Sequence, residues 1–120
     1  RVLIFSRAYV LACGCGDPRR FLAGLWPRTS AGLLVLPWGS EGAYAQAREA
    51  EVCFTPAHKP ECVVDTLGAG DVFNAGLIDG LLAGLDLPVV LARANRLAGY
   101  KCGCAGLDGV AAGALAAGLL

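Results

Sequence analysis

Residues 63–76 read Val63-Val64-Asp65-Thr66-Leu67-Gly68-Ala69-Gly70-Asp71-Val72-Phe73-Asn74-Ala75-Gly76, and the rest of the chain is best read outward from them. The stretch opens β-branched, bends through glycines and ends apolar. It predicts a short strand, a sharp turn and a helix that starts at Gly70 or Asp71. Two glycines and an alanine let the backbone bring its N–H groups close to a ligand. The first N–H groups of a helix have no acceptor within it. Aligned peptide dipoles there favour an anion by ~0.3–1 kcal/mol, or up to ~2 kcal/mol where partly buried. Such a turn suits a phosphate. Asp71, beside it, is placed to take a proton from an incoming hydroxyl, and general-base help of this kind gives ~10²–10⁴ in rate. An aspartate at a helix start is about as often a plain cap or dipole partner, worth about 0.5–2 kcal/mol. The string lacks the Gly-Lys-Ser/Thr ending of the phosphate loop and the further glycine of the dinucleotide fingerprint.

Upstream, Val2-Leu3-Ile4-Phe5 reads as a strand entered without a preceding cap or loop. Asp17-Pro18 is a helix-start signal, and Phe21, Leu22, Leu25 and Trp26 continue at helical spacing, so residues 17–27 are expected to be helical. Leu33-Leu34-Val35-Leu36 is a continuous apolar run of the kind a strand buried on both faces shows. Short strands are expected at 43–46 and 52–55, and helices at 70–84 and 88–100. This order gives an α/β fold. The Gly/Ala-rich tail at 111–120, following a unit at 1–110, is only weakly specifying. Two strands buried on both faces need more helices than the chain provides, so part of the fold is expected to be missing or supplied by another chain.

Ten basic and ten acidic residues cancel, and their dispersal excludes a nucleic-acid footprint. Asp79 and Asp86 interrupt the apolar region from Val72 to Leu97, so no bilayer span is expected. With no signal-like N-terminal segment, the reading is a soluble, cytoplasmic protein. Cys13, Cys15, Cys53, Cys62, Cys102 and Cys104 lack zinc-type spacing, and His58 is the single histidine, so the cysteines read as reduced thiols. Lys101 and Arg96 read as a solvated helix face. Buried packing is the default for Trp38, while Phe73 and Asn95 are evenly balanced between core and ligand roles. Asp79 has no assigned role.

Asp65-Thr66-Leu67-Gly68-Ala69-Gly70-Asp71 resembles the C-terminal signature D-T-x-G-A-G-D of the ribokinase-like (PfkB) carbohydrate kinases. Its extension through Phe73-Asn74-Ala75 resembles most the branch that phosphorylates ketohexoses. So do Ala98-Gly99-Tyr100-Lys101-Cys102-Gly103 and Gly106-Leu107-Asp108-Gly109. The resemblance covers roughly residues 2–110 and implies the C-terminal part of a three-layer αβα fold, without the N-terminal portion and lid. It implies Asp71 as catalytic base, also touching the substrate, and Gly68, Ala69 and Gly70 as the anion hole. Trp38, Gly39 and Gly42 fall on the family's nucleotide loop, and Phe73 and Asn95 fall where its adenine pocket is lined. Asp65 and Thr66 lie where relatives hold potassium. The implied reaction is transfer of phosphate from ATP, with Mg2+, to the C1 hydroxyl of a ketohexose such as fructose, by a homodimer when full length. Ser6-Arg7-Ala8-Tyr9 departs from the family's N-x-x-E element. Other readings are a kinase of another sugar or nucleoside, or a truncated non-catalytic fragment; alone, the 120 residues are expected to be inactive.

Overall fold

The computed structural model describes residues 1–120. In chain order it contains β1 (Val2–Ile4), α1 (Arg7–Ala12), α2 (Pro18–Leu25), β2 (Leu33–Pro37), β3 (Gly42–Ala47) and β4 (Cys53–Pro56), followed by α3 (Ala69–Leu82), α4 (Leu87–Cys102) and α5 (Val110–Ala116). The α/β expectation holds. The chain divides into two units, Arg1–Thr55 and Pro56–Leu120.

The first unit is built on a sheet of order β1-β2-β3-β4, with β1 parallel and β3 antiparallel to β2. Leu34, Val35 and Leu36 of β2 are all fully buried, as a continuous apolar run requires. Leu34 and Leu36 pack with Val10 of α1, Leu22 of α2 and Trp38, and Tyr44, paired opposite Leu36, joins them. Val35 points the other way, level with Ala45 of β3. The Asp17 carboxylate caps α2 as expected, accepting from the N–H groups of Arg19 and Arg20 at 3.0 and 3.4 Å. A 3-10 turn at Trp26–Arg28 extends it. Helix α1 was not foreseen; the Ser6 hydroxyl caps it by accepting from the Tyr9 N–H at 3.1 Å.

The second unit is a helical assembly. Helix α3 packs on α4 through small residues. A Cβ at Gly76 would lie 2.8 Å from a Leu97 methyl and 3.2 Å from the Ala94 Cα, and one at Gly80 would lie 3.1 Å from a Val90 methyl. Phe73, Leu77, Val90, Leu91, Ala94, Leu97, Val110 and Ala114 are buried in this unit.

One expectation is corrected here. Val63-Val64 forms no strand: both are exposed, and the N–H groups of Val64 and Asp65 donate to the Cys102 carbonyl at 2.8 and 3.1 Å, so a helix end takes the bonds a neighbouring strand would have taken. In the weakly specifying tail after Gly109, Val110–Ala116 is helical and buries Val110 and Ala114. Asp79, given no role from the sequence, has its carboxylate 2.9 Å from the Arg93 guanidinium of α4.

Candidate active site

The glycine turn starts α3 one to two residues earlier than the sequence suggests. Gly68 is the N-cap in the left-handed region (φ 83°), so Ala69 is the first helical residue and Asp71 the third. A side chain at Gly68 would be strained by that φ and would also meet Leu107, 3.1 Å from the position of its Cβ. Gly70 differs: its φ is ordinary and the space where a Cβ would stand is open. The Ala69 N–H donates to the Thr66 carbonyl at 3.2 Å, and helical bonding resumes with the Val72 N–H on the Gly68 carbonyl at 3.0 Å. Between them, the N–H groups of Gly70 and Asp71 have no protein acceptor. Asp71 is exposed within this first turn. The turn thus presents two open amides and a solvent-facing carboxylate at the positive end of a 14-residue helix.

Asp65 is the anchor of the turn. Its Oδ1 accepts from the Leu67 N–H at 3.0 Å, and its Oδ2 accepts from the Gly106 N–H at 3.0 Å. The Lys101 ammonium lies 3.2 Å from Oδ2 and also donates to the carbonyls of Asp65 at 2.8 Å and Cys104 at 3.3 Å. The N–H donations of Leu67 and Gly106, then the Lys101 ammonium, hold the Asp65 carboxyl below its ordinary value. Lys101 is fully buried, which overturns the expectation of a solvated helix face. A signal for this was present in the sequence: Val90, Ala94, Leu97 and Lys101 follow one another at four, three and four residues, so Lys101 continues the buried stripe of α4.

Asp65 is already engaged where the resemblance would place a potassium ion. Both Asp65 carboxylate oxygens and its carbonyl are already engaged, and a fixed positive charge sits among them. Nor does any group of three or more His, Cys, Asp or Glu side chains converge in the way a metal ion needs. Magnesium fits only as an ion carried in on nucleotide phosphates, its usual mode of binding. All six cysteines are free thiols.

The residues expected around an adenine are packed. Phe73 is 4% exposed in the second unit's core. Asn95 is 6% exposed, and its amide donates to the Pro56 carbonyl at 3.2 Å. Asn74, one turn beyond Asp71 on α3, has a buried Oδ1 with no hydrogen-bond partner, a feature the sequence reading passed over. In the first unit, Trp38 is buried edge-on against Tyr44, with the Arg7 guanidinium over its ring at 5.7 Å. Its indole serves packing, as its default reading has it. The following turn depends on glycine at two points, Gly39 (φ 62°) and Gly42 (φ 133°), and is closed by the Trp38 N–H on the Gly42 carbonyl at 2.8 Å. Trp38, Gly39 and Gly42 lie in the first unit and the glycine turn in the second.

The chain is similar to known proteins in sequence and in fold. Residues 28–111 match the family described as pfkB family carbohydrate kinase. Ketohexokinase of Mus musculus is 42% identical over 90 residues, which are 74% of this chain and 30% of that protein. The 2-dehydro-3-deoxygluconokinase of Bacillus subtilis (strain 168) is 32% identical over 90 residues, 74% of this chain and 28% of the relative. The crystal structure of adenosine kinase from Sinorhizobium meliloti superposes with a TM-score of 0.78 at 30% identity, covering 97% of this chain and 36% of that one. The chain therefore spans about a third of the length of these relatives. No helix in it is long and apolar enough to cross a membrane.

Proposed function

The chain belongs to the pfkB family of carbohydrate kinases, and from that premise we propose that it is the C-terminal, base-bearing part of a cytoplasmic, ATP-dependent ketohexose kinase. The observation that supports this best is the mouth of α3, where the open amides of Gly70 and Asp71 stand beside the exposed Asp71 carboxylate. In this reading the acceptor's C1 hydroxyl oxygen bonds to the γ-phosphorus of ATP. The bond from that phosphorus to the bridging oxygen breaks, ADP leaves with the electron pair, and the hydroxyl proton passes to Asp71. The open amides of Gly70 and Asp71, at the mouth of the turn that Gly68 and Ala69 form, stabilise charge on the transferring group. Phosphoryl transfer asks mainly for positioning and charge stabilisation, so backbone donors suffice for the task. Magnesium, arriving with ATP, would neutralise phosphate charge. Gly39 and Gly42 are assigned to the nucleotide loop through their backbone, as is Trp38, while Phe73 and Asn95 shape the adenine side from within the core. The full-length enzyme is assigned as a homodimer.

The choice of fructose over other acceptors leans on the 42% identity to a ketohexokinase. A second reading, a kinase of another sugar or of a nucleoside, is favoured by the 32% and 30% identities to 2-dehydro-3-deoxygluconokinase and adenosine kinase. Spanning about a third of its relatives, the 120-residue chain itself is read as a nucleotide-binding part that does not turn over.

The test is Asp71→Asn in a chain extended to its relatives' full length, assayed with ATP and a panel of fructose, 2-dehydro-3-deoxygluconate and adenosine. Turnover is expected with fructose and to fall about 10²–10⁴-fold in the variant, with nucleotide affinity kept. Near-normal turnover in the variant refutes the base assignment. A preference for another acceptor refutes the substrate.

A further inference from the structure

We propose that the Lys101 ammonium is a built-in monovalent cation, occupying the position beside the glycine turn that the family resemblance gives to potassium. The oxygens around its Nζ are the Asp65 carbonyl at 2.8 Å, the Asp65 Oδ2 at 3.2 Å and the Cys104 carbonyl at 3.3 Å. Two main-chain carbonyls and one carboxylate form the kind of hard-oxygen, singly negative set that suits an alkali cation. An ammonium carries the same charge, is close to potassium in size, and has three donors for three acceptors. Lys101 is fully buried, so its charge is not shared with water, and its four-carbon stem continues the α4 stripe of Val90, Ala94 and Leu97. It also lies in the last turn of α4, where free carbonyl dipoles favour a positive charge.

The tether changes the behaviour of the site. A free ion would exchange with solvent and its occupancy would follow its concentration, whereas Lys101 holds its place at every salt composition. Through Asp65 it joins three segments: the Leu67 N–H, the Gly106 N–H and the end of α4 all meet on that one residue. The Leu67–Gly68 step runs directly from there into α3, so Lys101 is a positioning residue for the amides of Gly70 and Asp71. The inference rests on the kinase reading only for why a cation is wanted there. Its test reads ion binding and local order rather than phosphoryl transfer, so either can fail alone.

The experiment measures amide hydrogen exchange at Leu67 and Gly106 in the 120-residue chain, in potassium chloride and in choline chloride at equal ionic strength. In the unaltered chain the two salts are expected to give the same rates, and thallium(I), used as a potassium probe in 205Tl NMR, is expected not to bind. In Lys101→Ala, exchange at both amides is expected to be faster in choline. Potassium is expected to slow it about tenfold at ten times its dissociation constant. Potassium-specific protection or thallium binding in the unaltered chain overturns the proposal, as does indifference of the variant to potassium. Should the variant not fold in choline, folding restored by potassium supports the proposal, and thallium binding by the unaltered chain still overturns it.

Discussion

At the residue scale, two aspartates six positions apart do opposite work. Asp71 faces solvent at the mouth of α3 and is free to meet a substrate. Asp65 is consumed by structure, accepting from Leu67, Gly106 and Lys101. The difference predicts a pH signature. A carboxyl held below its ordinary value of 3.8 gives stability that is complete above that value and is lost as the pH falls through its lower folded value. Urea denaturation across the acid range should therefore show stability falling below about pH 4 in the unaltered chain. Asp65→Asn should be less stable at neutral pH, with a shallower loss in acid. An acid limb of equal steepness in both proteins would mean that the Asp65 contacts contribute nothing.

At the element scale, α4 organises the second unit with two buried stripes. Val90, Ala94, Leu97 and Lys101 meet α3 and the Asp65 turn, while Asn95 and Gly99, on a stripe with the buried Leu91, hold the Pro56–His58 segment. Close approach depends on glycine at Gly99, where a Cβ would overlap the His58 carbonyl, and at Gly76, where it would press on Leu97 and the Ala94 backbone. Overpacking of this kind costs typically about 1–3 kcal/mol. Gly99→Ala and Gly76→Val should each lower the thermal midpoint, with Gly84→Ala as a contrasting case that has open space but a positive φ of 72°. If Gly99→Ala melts with the unaltered chain, α4 does not pack on His58 as described. By comparison, the Asp79–Arg93 pair, whose carboxylate side is exposed, is worth about 0–1 kcal/mol.

For the whole molecule, what could be read from the sequence was what is local. The Asp17-Pro18 start of α2 and the β2 run are each decided within a few residues and form where expected, and the glycine turn forms too, with its helix starting one to two residues early. Val63-Val64 misled because β-branching is local, whereas the N–H groups of Val64 and Asp65 are taken at Cys102, far along the chain. Lys101 meets Asp65 across 36 residues, a pairing that no spacing rule displays, although the stripe ending at Lys101 gave notice of its burial. Ser6 capping α1 was a missed local signal, a serine three residues ahead of the amide it accepts from. The candidate site was half legible: its motif could be read directly, and its supporting contacts could not.

The central claim is that the amides at the start of α3 receive the phosphates of a nucleotide. It is tested most directly by 15N–1H spectra of the 120-residue chain titrated with ATP and Mg2+. The resonances of Gly70 and Asp71 are predicted to move in a saturable way, together with Gly68 and Ala69. Shifts that leave residues 68–71 untouched at saturation, or no shifts at all, would contradict the account.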